Sequence, residues 1–199
     1  MSTHIRPAVV LTLLLCALTG LVYPGLVTGL AQLLFPWQAH GSLVRANGRV
    51  VGSALIGQPF SRPEYFHPRP SAAGAGYDAT ASGGTNRGPT DRKLADTLVA
   101  GAVAAAVRED GAVLGHVPSD MATASGSGLD PDISPANAGL QVARVARARG
   151  LPADEIRAVL ARHTAGRQFG FLGEPRVNVL LLNLALDSLA PLAPAHALP

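Results

Sequence analysis

The sequence predicts an α+β protein, with a single N-terminal transmembrane helix followed by one small extracytoplasmic domain carrying long Gly/Pro-rich loops. Charge distribution is the first of three observations behind this. No Lys, Arg, Asp or Glu lies between Arg6 and Arg45, whereas all 13 acidic residues and every basic residue except Arg6 lie from Arg45 onward. The second is a proline- and glycine-dense middle, from Phe60 to Pro89 and again from His116 to Ser134. The third is a C-terminal third in which apolar residues recur at helical spacing. Charged residues make up only 15% of the 199-residue chain, well below the usual quarter, and the membrane segment accounts for the deficit.

From Ala8 to Leu34 the apolar run is broken only by Thr, Gly, Tyr, Pro and Gln. About 20 apolar residues cross a bilayer's hydrocarbon core, so the run spans with tilt to spare. Pro24-Gly25 predicts a kink. Gly25 and Gly29 have the spacing of close helix–helix contact, or are simply the glycine common in membrane helices. Phe35 and Trp37 fall where an interfacial aromatic belt belongs. The run is too long for the 7–15-residue core of a cleaved signal peptide, and Leu13, Leu14 and Leu15 before Cys16 exclude a lipid-modified cysteine. Residues 1–7 therefore form a short cytoplasmic head, 8–35 the membrane helix, and 36–199 an external domain. The flanking charges, Arg6 against Arg45 and Arg49, are nearly balanced, so this orientation rests on the short head and the long domain.

In the domain, Ser42–Ala46 and Arg49–Ile56 flank Asn47-Gly48, the preferred pair of a two-residue hairpin turn. Prolines 59, 63, 68 and 70 hold the next stretch extended. Thr90 is positioned to cap a helix reaching Arg108, with Leu94, Leu98, Val99, Ala102, Val103 and Ala106 on one face. Ser134-Pro135 begins a helix that stops at Gly150. Another helix runs from near Pro152 to Arg162, with Asp154 and Glu155 in its first turn. Arg176–Leu189 reads as a last, leucine-rich helix.

The chain lacks a phosphate-binding glycine–lysine loop and has a single lysine, Lys93. Asp-Lys-Thr-Gly and Gly-x-Ser-x-Gly are absent too, and the six histidines lack metal-ligand spacing. No basic cluster interleaved with aromatics marks a nucleic-acid partner. Asp120, Asp130 and Asp132 lie in one loop with Thr123, Ser125 and Ser127. They either coordinate a hard cation or bond their own backbone in turns. An external hydrolase would need a pair such as Ser125 with His67 or His116.

Five blocks of sequence occur in order: Tyr65-Phe66-His67-Pro68-Arg69-Pro70-Ser71-Ala72, Ser82-Gly83-Gly84-Thr85-Asn86, Thr123 to Pro131, Gln141 with Arg144-Val145-Ala146, and Gly173 to Leu180. Together they resemble the C subunit of the Kdp potassium-transporting ATPase over nearly the whole chain. The resemblance implies a non-catalytic subunit of a bacterial inner-membrane pump. Its partners would be an A subunit with the potassium pore, an ATP-hydrolysing B subunit, a small F subunit and membrane lipid. ATP, Mg2+ and K+ would belong to the complex, with no cofactor on this chain. Two roles follow from the family: assembly and support of the side where potassium enters, or raising the B subunit's affinity for ATP, with Gln141 resembling a nucleotide-contact glutamine. If the domain docks, its long loops and the helix beyond should carry the contacts. The candidates are Tyr65, Phe66, Arg69, Asn86, Ser125, Ser127 and Asp130, with Arg144 and Arg147. In the alternative, the same loops pack on one another.

Overall fold

A computed structural model describes residues 2–192 and divides the chain into two compact units, at Leu43 and Val44. The first unit is built on helices α1 (Ser2–Ala17) and α2 (Tyr23–Leu34), joined by a π-helical turn at Leu18–Val22, followed by a short helix α3 (Pro36–Ala39). His4–Leu34 forms one continuous helix with a mean hydropathy of 2.1 in its most apolar window, long and apolar enough to cross a membrane. Pro24 is accompanied by a local change in the helix's hydrogen bonding. Proline cannot donate to the carbonyl four residues back, and the ladder widens just before it, with the Tyr23 N–H reaching the Leu18 carbonyl. The helix thus meets its proline with a π-turn, itself a place where helices bend. Trp37 donates its indole N–H to the Leu43 carbonyl at 3.2 Å.

The second unit starts with a hairpin, β1 (Leu43–Ala46) and β2 (Arg49–Ser53). Asn47 and Gly48 both have positive φ, at +50° and +78°, the combination that a two-residue turn matching the strand twist requires. The second strand ends at Ser53, three residues short of the expected Ile56. Residues 57–78 have no regular secondary structure, and a single 3-10 turn, Ala79–Ala81, interrupts the glycine-rich connection.

The next helix departs from expectation in three ways. Its cap is Asp91, whose carboxylate accepts the Leu94 N–H at 3.2 Å, so Thr90 lies one residue too early. Its first turns, Leu94–Val99, are π-helical before α4 (Ala100–Asp110) closes on a left-handed Gly111. The wider π winding moves side chains off the 3.6-residue stripe, and of the six residues expected to face the core only Ala106 is buried. A short α5 (Ser119–Ala122) and a strand β3 (Asp132–Ile133) follow.

Helix α6 (Pro135–Arg149) starts as read from the sequence, with Ser134 Oγ accepting the Asn137 N–H and Gly150 left-handed at its end. Helix α7 (Ala153–Arg162) buries Ile156, Val159 and Leu160 at the three- and four-residue spacing of one helical face. The predicted Arg176–Leu189 helix is instead a strand, β5 (Arg176–Asn178), leading into α8 (Val179–Leu189). The break lies at Asn178, whose side chain caps α8 by accepting the Leu181 N–H. Strand β5 is the centre of a three-stranded antiparallel sheet, between β3 and a two-residue β4 (Thr164–Ala165). In register, Val177 faces Ile133 on one side and Thr164 on the other. The core gathers Val142, Val145, Ile156, Val177, Leu182 and Leu186, and the irregular 60–66 segment adds Phe60, Tyr65 and Phe66 to it.

Candidate functional site

Most of the sequence-nominated residues, though not Asn86 or Arg147, converge where the two long loops meet α6 and α8. The extended segment at Phe66 and His67 has no strand beside it, so its peptide groups need partners from elsewhere. Two buried amide side chains supply them. Asn183 accepts the Phe66 N–H at 2.8 Å and donates to the Phe66 carbonyl at 3.0 Å. Gln141 does the same for His67, at 2.7 and 3.0 Å, and also donates to Asn137 at 2.7 Å. Arg144 donates to the carbonyls of Pro63 and Tyr65 and to Gln141, and pairs with Asp110 at 2.7 Å. Both partners of that ion pair are buried, with side chains 8% and 4% exposed.

Tyr65 is held in the same way. Its ring lies under the Arg149 guanidinium at 5.1 Å, and its hydroxyl donates to Asp187 at 3.0 Å, while Arg149 pairs with Asp187 at 2.8 Å. Burial, reinforced by the Asp187 carboxylate, raises the Tyr65 hydroxyl to about 12. His67 is pushed the other way, because burial and then the Arg144 charge disfavour its protonated form. Its Nε2 bonds the Arg62 carbonyl at 3.0 Å, and Nδ1 lies 3.9 Å from Glu109.

The loops then bond to each other. Arg69 pairs with Asp130 at 2.9 Å and reaches the Thr123 carbonyl. Ser71 Oγ donates to the Gly128 carbonyl at 2.6 Å, and the Gly83 N–H and Ser82 hydroxyl both reach the Ser127 carbonyl. Tyr77 donates its hydroxyl to the Arg69 carbonyl. Gly128 has φ +68°, and an added Cβ would come 2.6 Å from Ala73 N and 2.8 Å from the Gly83 carbonyl. Only glycine fits where the loops cross.

This geometry corrects several expectations. Tyr65 and Phe66, read as surface anchors, are 1% and 0% exposed. They are core aromatics because the loop carrying them is drawn inward by Gln141, Asn183 and Arg144. Arg144 is a buried clamp, and Gln141, 1% exposed, already has both ends of its amide engaged within the chain. Arg69, Asp130 and Ser125 hold the loop–loop junction, with Ser125 Oγ accepting the Gly128 N–H at 2.8 Å. Asn86, Ser127 and Arg147 are exposed.

The three loop carboxylates line one cavity of about 300 Å3 together with Arg69 and Arg176, and each has partners. Asp120 accepts from the Ser134 backbone, the Ser134 hydroxyl and Asn137. Asp130 pairs with Arg69, and Asp132 with Arg176 at 3.0 Å. Among the described residues no group of three or more His, Cys, Asp or Glu side chains is arranged to hold a metal. In this structure the three carboxylates are engaged in turn, cap and ion-pair contacts. Ser125 and His67 likewise engage backbone groups, and His116 is exposed.

Sequence reasoning missed Asp110 and Asn183, and it read Arg149 only as one of three arginines at the C-terminal end of α6, not as the buried partner of Asp187. Asn183 alone left a signal, as a single amide inside the leucine run 179–189.

A family model for K+-transporting ATPase, c chain, matches residues 5–188. The chain is 63% identical over 196 residues to a potassium-transporting ATPase KdpC subunit of Gemmatimonas aurantiaca, covering 98% of each chain. It is 54% identical to the one named so in Koribacter versatilis, over 96% of this chain and 98% of that one. The Sorangium cellulosum protein of the same name is 60% identical, over 94% of this chain and 98% of its own.

Proposed function

The chain belongs to the family of K+-transporting ATPase C subunits, and on that premise we propose that it is the non-catalytic subunit that assembles and stabilises a high-affinity, ATP-driven potassium uptake pump. The observation that carries this reading is the use made of its polar side chains. Gln141, Asn183, Arg144, Arg149 and Asp120 are spent on holding two long loops in one conformation. A domain built this way presents a rigid surface, as a docking subunit should. In this reading residues 1–7 are cytoplasmic and the domain from residue 36 is periplasmic, supporting the side where potassium enters. An A subunit carries the pore, a B subunit hydrolyses ATP with Mg2+, and a small F subunit completes the complex.

Detergent pull-down through a C-terminal tag tests the proposal. Co-recovery of larger membrane subunits with potassium-stimulated ATPase activity is expected. A single monodisperse chain that cleaves an ester or peptide unaided would overturn it. Full assembly of the other subunits without this chain, with only the KM for ATP raised, would move its role to nucleotide affinity. Alkaline phosphatase fused after Pro199 should be active and green fluorescent protein dark; the reverse pattern sinks the topology.

A further inference from the structure

The helix long enough to cross a membrane is followed by a closed turn rather than a loose linker. Beyond Leu34 comes the single turn of α3, and then two left-handed residues in a row, Gly41 at φ +84° and Ser42 at +50°. They reverse the chain. The Ser42 N–H donates to the Trp37 carbonyl at 3.0 Å, and the Trp37 indole N–H donates to the Leu43 carbonyl at 3.2 Å. Ser42 is buried within this reversal, and Leu43, where β1 starts, is returned to Trp37. Trp37 itself follows the end of the apolar helix at Leu34 by three residues, so no more than about 11 Å of chain separates the two. That is the level at which tryptophan meets lipid headgroups.

Leu43 and Arg45 share the exposed face of β1. Arg45 is two residues beyond Leu43 and therefore within about 7 Å of it. The two-residue turn at Asn47-Gly48 then sets Arg49 within about 7 Å of Ala46. These limits follow from the covalent chain alone and hold for any placement of the second unit. Both arginines are exposed, and among the described residues neither has a carboxylate in ion-pair range. Arg69, Arg144, Arg149 and Arg176 each do. The contrast originates in the sequence, where no Asp or Glu precedes Glu64. A guanidinium without an internal acceptor, tethered this close to headgroup level beside an exposed leucine, matches a lipid phosphate. Its fork of N–H donors takes phosphate oxygens bidentately, and an anionic surface attracts basic residues next to a membrane helix.

We infer that Arg45, with Arg49 beside it, takes the phosphate of an anionic lipid headgroup at the Trp37 end of the membrane helix. This rests on attachment of the chain to a membrane, and is independent of the pump role and of which side the domain occupies. Trp37 is the only tryptophan of the chain, so its fluorescence reports the lipid next to it. The full chain is reconstituted into phosphatidylcholine vesicles holding a fixed fraction of phosphatidylglycerol, with bromine on the acyl chains of one lipid or the other. Trp37 should be quenched as though phosphatidylglycerol were several-fold enriched around it, because each arginine near an anionic surface contributes roughly fivefold. Arg45→Gln with Arg49→Gln should bring that preference close to one, as should high salt. Arg162→Gln, which removes an exposed charge at the end of α7, should keep it. Equal quenching by the two lipids in the unaltered chain overturns the inference, and so does a preference that survives in the double variant. If the unaltered chain shows no lipid preference while the double variant loses the other pump subunits in a tagged pull-down, the inference also fails, and the hairpin is a protein contact.

Discussion

Arg144 shows how strongly one residue can be committed to the fold. Its guanidinium satisfies two loop carbonyls, one amide oxygen and a carboxylate that is almost sealed from water. Removing one member of a buried pair leaves an uncompensated charge, which costs about 3–5 kcal/mol. Arg144→Ala should therefore lower the unfolding free energy of the full chain in detergent by that order. Arg157→Ala, which breaks an exposed pair with Asp154, should change it by less than about 1 kcal/mol. His67 provides a pH handle beside the same clamp. Its native pKa lies below its ordinary value, so the unfolded chain binds the extra proton more readily. Stability from this group is complete above about pH 6.5 and is lost as pH falls below it. His67→Gln should flatten that part of the stability–pH curve, and an unchanged slope in denaturant titrations would refute the assignment.

At the scale of elements, most self-contained caps and turns read correctly, the Asp91 cap, placed one residue early at Thr90, being the exception. Ser134-Pro135, Gly150, Pro152 and Asn47-Gly48 each carry their reason within a few residues, and each stands where the sequence put it. The short strands β3, β4 and β5 exist only because partners distant in sequence complete a sheet, so no local pattern announces them, whereas the start of α8 did leave a local signal in its cap Asn178. The candidate site divides in the same way. Residue types in the loops were legible, but their direction was not, because inward or outward depends on Gln141 and Asn183 meeting a loop more than 70 residues earlier. The loop crossing makes a sharp prediction. Gly128→Ala places a Cβ against Ala73 and Gly83 and forces an L-residue into a left-handed conformation, which alone costs roughly 1–2 kcal/mol. Thermal melts should show a loss at least that large, with faster proteolysis in both loops. Gly126→Ala, whose Cβ meets open space, should change little.

For the whole molecule, the division between buried and exposed candidates decides how assembly can fail. Phe66 lies in the core, so Phe66→Ala removes packing worth about 3–5 kcal/mol and should reduce recovery of the pump only through loss of the folded domain. Arg147 is exposed at the end of α6, and Asn86 and Ser127 are exposed on the loops. Surface substitutions away from caps and clamps usually stay within about 0.5 kcal/mol. Arg147→Glu combined with Asn86→Gly, which suits the left-handed φ of +53° at that position, should therefore leave the melting temperature of the isolated full chain nearly unchanged. If these residues form the docking surface, tagged pull-downs should nevertheless recover less of the other subunits, and more salt should weaken the remaining assembly further. The two failures separate in one experiment, run with and without a stabilising osmolyte. Osmolytes favour burial, so they should rescue assembly by Phe66→Ala and leave the Arg147→Glu defect in place. Full recovery of the complex by the surface variant would remove Arg147 and Asn86 from the docking surface, directing the search to the exposed stretch from Ala95 to Leu98.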